Sequence, residues 1–260
     1  MKNKLYIIGN GFDLAHNLPT KYDPDFMNFA KKNEPDYLSD RESDRDGIIY
    51  QVELNGNLWD ALYEFADHAE DCLANVQSNV FLEHILDLDG YYINFNYTHT
   101  LEAIYEIPFE RILHIHGEVG ENNLALGYTK GNFTPEKYIY DARMKGYGPF
   151  IKTEIEDYIN GIEDYYVRTA YTELIDKCKS FYKEIRIDLL KGFLDKNKCK
   201  IDEIIVYGHS CSIDFEYFCY LNTRYSNAHW TFFTKENEQE ASVEYFIQKY
   251  SIKNADIVTV

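Results

Sequence analysis

A short apolar run, Leu5 to Ile8, stops at Gly9-Asn10-Gly11, and a helical pattern opens at once with Phe12-Asp13-Leu14-Ala15. This succession of strand, glycine turn and helix constrains the fold more than any other segment. α/β proteins hold phosphate groups in this way. The glycines let the backbone approach the anion, and the new helix points its N–H groups at it. A turn after a first strand is expected at the carboxyl edge of a parallel sheet, where such folds bind ligands. The spacing Gly-x-Gly lacks a third glycine three residues on, so it is not the usual dinucleotide fingerprint, and no Gly-Lys-Ser/Thr follows, so it is not a nucleoside-triphosphate loop. A tight turn with no ligand would satisfy the same residues.

The rest of the chain alternates strand and helix. Asp23-Pro24 opens a short helix through Lys32, and residues 35–47 read as a polar, acidic loop. Leu58, Trp59, Leu62, Phe65, Ala66, Ala69, Cys72, Leu73 and Val76 recur at helical spacing, with Asp60, Glu64, Asp67 and Glu70 on a solvated outer face. Tyr91 to Asn96 reads as a strand, Thr98 to Glu106 as a short helix, and Arg111 to His116 as the next strand. Residues 120–150 are irregular, and a long amphipathic helix is expected over about 165–194. Ile201–Tyr207 is a strand, Ile213–Leu221 a helix, His229–Thr234 a strand, Glu240–Lys249 a helix and Asp256–Val260 a last strand.

This order predicts a three-layer α/β fold with a mainly parallel sheet, a Rossmann-like nucleotide-binding domain. We expect a single domain over residues 1–260, with 118–200 as an insertion or lid and a helical region within it. Four strands finish in polar or glycine-rich residues: Gly9-Asn10-Gly11, Asn94-Phe95-Asn96-Tyr97-Thr98, His114-Ile115-His116-Gly117 and Gly208-His209-Ser210. If these strands are neighbours, their ends converge on one edge, and that convergence argues for a site more strongly than any single motif.

Composition narrows the partners. Lys plus Arg number 26 against 44 Asp plus Glu, a formal charge of -18. Such a surface repels nucleic acid and anionic membranes. The five cysteines stand singly, with no Cys-x-x-Cys pair, so a four-cysteine zinc site is not expected. No secretory segment and no apolar stretch of membrane-spanning length is seen, and the thiols read as reduced residues of a cytoplasmic protein.

Together these segments resemble the bacteriophage abortive infection proteins of the AbiH type. The resemblance rests on Ile8 to His16 with Leu18-Pro19-Thr20, on Asn94-Phe95-Asn96-Tyr97-Thr98, on His114-Ile115-His116-Gly117, and on Gly208-His209-Ser210 with Asp214. The same blocks are similar to a distant, degenerate form of the sirtuin-type NAD fold. Gly9-Asn10-Gly11 with Asn17-Leu18-Pro19 resembles that fold's glycine turn and Gly-Ile-Pro segment. Phe95-Asn96-Tyr97-Thr98 resembles its Asn-Tyr block, His116-Gly117 its catalytic His-Gly, and Gly208-His209-Ser210 its late Gly-x-Ser. Departures are plain. The two cysteine pairs of the deacetylase zinc module are missing, Asp13 stands where the loop ends in serine, and Thr98 replaces an acid. The resemblance therefore implies binding or hydrolysis of NAD or a related nucleotide rather than deacylation.

On this basis Asn96 and His116 are the expected catalytic residues. Gly9, Asn10, Gly11, Phe12, Asp13, Thr20, Gly117, Gly208, His209, Ser210 and Asp214 are the expected nucleotide contacts, and no metal is expected. His116 would take a proton from water or a ribose hydroxyl, Asn96 would orient it, and residues 9–13 would hold the pyrophosphate. Other assignments compete. His114 and His116, on one face of a strand, read as structural histidines or a zinc pair without a third ligand. Asn96 reads as a helix cap, and Asp214 as a first-turn acid complementing the helix dipole. Glu102 and Asp13 are the acids expected near the cleft, and His16, His99 and His209 lie close to the motifs without being ranked. The expected partners are a nucleotide, and a second copy of the chain or a defence-system protein. A nucleotide sensor without catalysis, and a catalytically dead interaction protein, remain open.

Overall fold

In the first strand of the computed structural model, β1 (Lys4–Ile8), every residue from Leu5 on is buried, as a central parallel strand covered on both faces requires. The structure describes residues 3–26, 28–29, 58–127, 136–137, 140, 148–149, 151–180, 182–198, 200–211, 213–235 and 237–260. The expected loop at 35–47, part of the helix expected from Asp23 to Lys32 and much of 120–150 lie outside them. At the start of that helix, Tyr22–Phe26 forms one turn of π-helix.

After β1 come α1 (Gly11–Ala15), α2 (Leu58–Asp71), α3 (Val80–Ile85), β2 (Tyr91–Asn94), α4 (Thr100–Tyr105) and β3 (Ile112–His114). Then follow α5 (Lys152–Asn160), α6 (Tyr165–Ser180), α7 (Ile187–Lys196), β4 (Glu203–Tyr207), α8 (Phe215–Arg224), β5 (His229–Thr234), α9 (Asn237–Lys249) and β6 (Ala255–Thr259). The six strands form one sheet in the order β3-β2-β1-β4-β5-β6, and every pairing is parallel. This is the doubly wound order of dinucleotide-binding sheets, with its topological switch point between β1 and β4.

Alternation along the strands splits the core into two layers. Leu5, Ile7, Ile93, Ile204, Val206, Trp230 and Phe232 face one side, with Leu190 and Leu194 of α7, Tyr217, Phe218 and Leu221 of α8 and Val243 and Phe246 of α9. Tyr6, Ile8, Tyr92, Ile112, Ile205 and Tyr207 face the other, with Phe12 of α1, Leu82 of α3 and Leu101 of α4. Tyr6 and Tyr92 stack at 4.5 Å, and their hydroxyls donate to the carbonyls of Ile85 and Asp87, which makes two large polar rings acceptable in a core.

The chain divides into two compact units. The first joins Met1–Asp25, Tyr63–Ala125 and Ile185–Val260 and contains the sheet. The second joins Phe26–Leu62 and Leu126–Glu184. In the second, Ile155 and Ile159 of α5 pack with Tyr140 and with Ala170 and Tyr171 of α6.

Some expected elements differ. The helix expected over 165–194 is two, α6 and α7. Between them the Arg186 N–H donates to the Tyr217 hydroxyl rather than to a preceding turn. The strand expected to reach Asn96 ends at Asn94, because the Asn94 side chain accepts from the Asn96 N–H and turns the chain. Asn94 and Asn96 therefore do not alternate along one strand face. Helix α3 was not foreseen; Asn79 caps it by accepting from the N–H groups of Phe81 and Leu82. Among the described residues no helix is long and apolar enough to cross a membrane.

At the switch point the backbones of the two turns touch. A Cβ on Gly9 would lie 2.6 Å from the Gly208 carbonyl oxygen, one on Gly11 would lie 2.6 Å from Gly208 Cα, and one on Gly208 would lie 2.5 Å from the Phe12 nitrogen. Gly208 also has a φ of +69. Gly208→Ala should therefore cost at least about 2 kcal/mol in urea unfolding. Gly192, exposed in α7 with open space around it, is the control: Gly192→Ala should add roughly 0.5–1 kcal/mol. Equal, small effects at both positions would show that the turns do not depend on this contact.

Candidate functional site

The turn after β1 spends its donors on its neighbour. The N–H groups of Gly9 and Gly11 donate to the carbonyls of Tyr207 and Gly208, and that of Phe12 donates to Gly9. Gly9 and Gly11 thus serve the close approach of two backbones, and their N–H groups do not point at a ligand. Asn10 reaches across with its amide to the Thr20 carbonyl at 2.8 Å. Thr20 is buried, and its hydroxyl meets no hydrogen-bond partner among the described residues. Phe12 lies in the core.

Asp13 is placed inside the protein rather than on a cleft wall. It is 1% exposed and accepts from the hydroxyls of Thr98 at 2.6 Å and Thr100 at 2.9 Å. Burial pushes its pKa up to about 6, against the pull of these two hydrogen bonds. Thr98, which stands where the resembling block carries an acid, is thus the donor that holds Asp13. Asn96 donates from its amide to the Gly9 carbonyl at 3.2 Å and ties β2 to β1. It does not cap α4, whose N-cap is His99 with no side-chain cap bond.

The two histidines of the third block part company. β3 ends at His114, and Ile115 and His116 form a turn. Nε2 of His114 meets Glu102 of α4 at 2.8 Å, whereas Nε2 of His116 meets Asp214 at 3.2 Å. The expectation that they share one face fails because the strand stops before the second. Gly117, with φ +89, closes the turn against Asn123. The turn is braced by Arg186, whose guanidinium donates to the carbonyls of Ile115 and Asn123.

Asp214 reaches His116 from the loop after β4. That loop is unusual: Gly208, Cys211 and Asp214 all have positive φ, of 69, 57 and 63. Non-glycine residues held there store conformational cost, and such strain gathers at functional sites. Asp214 stands at the N-cap position of α8 but makes no side-chain cap bond; its carboxylate faces imidazoles instead. His209 Nε2 lies 3.9 Å from the same oxygen, Oδ2, while its Nδ1 accepts from the Cys211 N–H. Phe95 packs edge-on against both rings, at 5.0 Å from His116 and 4.5 Å from His209. His116 and Asp214 are 7% and 2% exposed, so this pair works out of bulk water. Ser210 is exposed.

The structure thus brings Gly9, Asn10, Asn96, His116, Gly208, His209 and Asp214 to one sheet edge at the switch point. A family model described as "Bacteriophage abortive infection AbiH" matches residues 5–83 and 37–234, a span that holds every one of these positions. The chain belongs to the AbiH family. No curated protein and no solved structure matches it. Membership gives this AbiH chain a role in phage abortive infection.

Sequence reasoning missed two acids at this edge, Glu70 and Glu118. Glu70, assigned to the solvated face of α2, accepts from both the N–H and Nδ1 of His99. Glu118 meets His99 Nε2 at 3.1 Å. The side-chain hydrogen bond to Glu70, first of all, raises the His99 pKa to about 9. His16 is structural, bound to the Phe12 carbonyl and the Tyr105 hydroxyl, and burial lowers its pKa. No periodicity could have drawn Glu70 inward, because its partner lies 29 residues away.

Asp13 gives a testable pH dependence. Its pKa is higher folded than unfolded, so folding takes up a proton between about pH 4 and 6. The group then destabilises the fold progressively as pH rises through that window. Asp13→Asn should remove this. The wild type should lose on the order of 3 kcal/mol relative to the variant between pH 4 and 7. Urea unfolding of both proteins across that range checks it, and a pH-independent difference would contradict the burial assignment.

Proposed function

We propose that this AbiH protein acts in abortive infection by binding a nucleotide in the crevice at the β1–β4 switch point and hydrolysing it, with NAD as the substrate. The observation that carries the proposal is the buried His116–Asp214 pair at that edge. Doubly wound sheets bind their ligands in this place, and a carboxylate-oriented imidazole can serve as a proton acceptor. Asp214 accepts from Nε2–H of His116, which fixes the tautomer with the lone pair on Nδ1. Nδ1 would take the proton from an attacking water, or from a ribose hydroxyl, as the nicotinamide–ribose bond breaks. Nicotinamide leaves as a neutral molecule, so no strong general acid is needed. Asp214 would also stabilise the imidazolium that forms, and His209 would steady Asp214. Asn96 is a positioning residue that holds the two turns by its bond to Gly9. The donors of Gly9 and Gly11 are already spent, so the pyrophosphate would be held by other groups around the crevice than the Gly9 and Gly11 N–H groups.

The experiment is nicotinamide release from NAD by wild type and two variants, with phage infection supplied as the trigger in cells. Asp214→Asn is the cleaner variant, since Asn tolerates the left-handed backbone and keeps the shape. Both it and His116→Ala should lose roughly 10²- to 10⁴-fold in rate with melting temperatures close to wild type. Both should also abolish protection from phage. Wild-type protein that neither binds nor cleaves NAD, together with variants that still protect, would overturn the proposal.

A further inference from the structure

The other side of the same sheet edge carries a second cluster. One ligand atom from each of His99, His114 and Glu118 lies within 4.8 Å of the others. The orientation of the rings is the telling feature. His99 Nδ1 is held by the Glu70 carboxylate at 2.9 Å. His114 Nδ1 is held by the Asn96 carbonyl at 3.2 Å. Each ring therefore has one nitrogen anchored to an oxygen acceptor and presents Nε2 to a carboxylate, Glu118 at 3.1 Å and Glu102 at 2.8 Å. Metal-ligating histidines are built this way: the far nitrogen is fixed by a carboxylate or a backbone carbonyl, so the near one faces the ion.

We propose that His99, His114 and Glu118 bind a divalent transition-metal ion of the zinc class, with Glu102, beside His114, as the acid that can move in to complete the set. The donor set of two imidazoles and carboxylates suits such an ion. The N–O spacings already in place are close to those of two ligands about 2.0–2.2 Å from one centre. Charge points the same way. Glu70, Glu102 and Glu118 bring three carboxyls to two imidazoles, a balance that a dication improves. The second oxygen of Glu102, Oε2, is buried and accepts no hydrogen bond among the described residues, an unmet acceptor that coordination would satisfy. His114 is buried and Glu118 is partly exposed, with 3% and 19% of their side chains accessible, so an ion has an entry path. The ion would tie α4, β3 and the loop after β3 together, with Glu70 of α2 behind it. The proposal departs from the expectation that no metal binds: that expectation rested on the single cysteines, and this site needs no thiol.

The test does not involve a nucleotide, so its outcome is separate from the function proposed above. Full-length protein is dialysed against a chelator, and zinc chloride alone is titrated by calorimetry and thermal melting. We expect one ion per chain, with a higher melting temperature. Glu118→Gln should weaken uptake by at least about 100-fold, since loss of a direct ligand costs no less than loss of the outer groups that orient one, while leaving the melting of the metal-free protein close to that of the metal-free wild type. His114→Ala should abolish uptake, and Glu118→Gln decides alone if that variant does not fold. Cobalt substitution should give intense visible bands from a tetrahedral site. Absence of stoichiometric uptake by wild type, or uptake unchanged in Glu118→Gln, would overturn the proposal.

Discussion

The sheet edge depends on one close approach, that of the turn after β1 to the turn after β4. Gly9, Gly11 and Gly208 have no side chains because the two backbones occupy that space, and their hydrogen bonds run from one turn to the other. This contact decides where everything else can go. It sets α1 so that Phe12 enters the core and Asp13 meets Thr98 and Thr100. It also starts the loop that carries His209, Cys211 and Asp214 back over the edge.

Around that contact the polar side chains sort into two groups by the face they reach. His116, His209 and Asp214 lie on the side of α8, packed against Phe95 and Tyr217. His99, His114, Glu70, Glu102 and Glu118 lie on the side of α4. The parting happens within three residues, because β3 ends at His114. Asn96 links the turn contact to the second group: its amide holds Gly9 and its carbonyl meets His114. The edge thus keeps the His116–Asp214 pair apart from the His99–His114 cluster.

Much of the fold was legible because parallel strands buried on both faces leave unbroken apolar runs. β1, β4 and β5 stand within a residue or two of where those runs place them, and the convergence of four strand ends followed from their order. The family was legible for the same reason, since the quoted blocks are those turns. Local polar chemistry was less visible. Asn94 shortened β2 through a side-chain bond that no hydrophobic pattern records. The glycines looked like room for a phosphate, yet a glycine kept for a neighbouring backbone has the same sequence signature. Asp214 read as a first-turn acid complementing the helix dipole, whereas it stands at the N-cap with a left-handed backbone and its carboxylate meets His116. The pairing of Glu70 and Glu118 with His99 joins residues far apart in the chain, which single-sequence periodicity cannot connect.

The central claim is that the switch-point crevice holds a nucleotide with its ribose beside His116. The most direct measurement is a crystal structure of the protein with ADP-ribose, the product of the proposed reaction. The account predicts the sugar over the edge formed by Gly9, Asn96 and Gly208, with its anomeric carbon next to Nδ1 of His116. Ligand bound at another face of the protein, or a sugar with the His116–Asp214 pair out of reach, would contradict it.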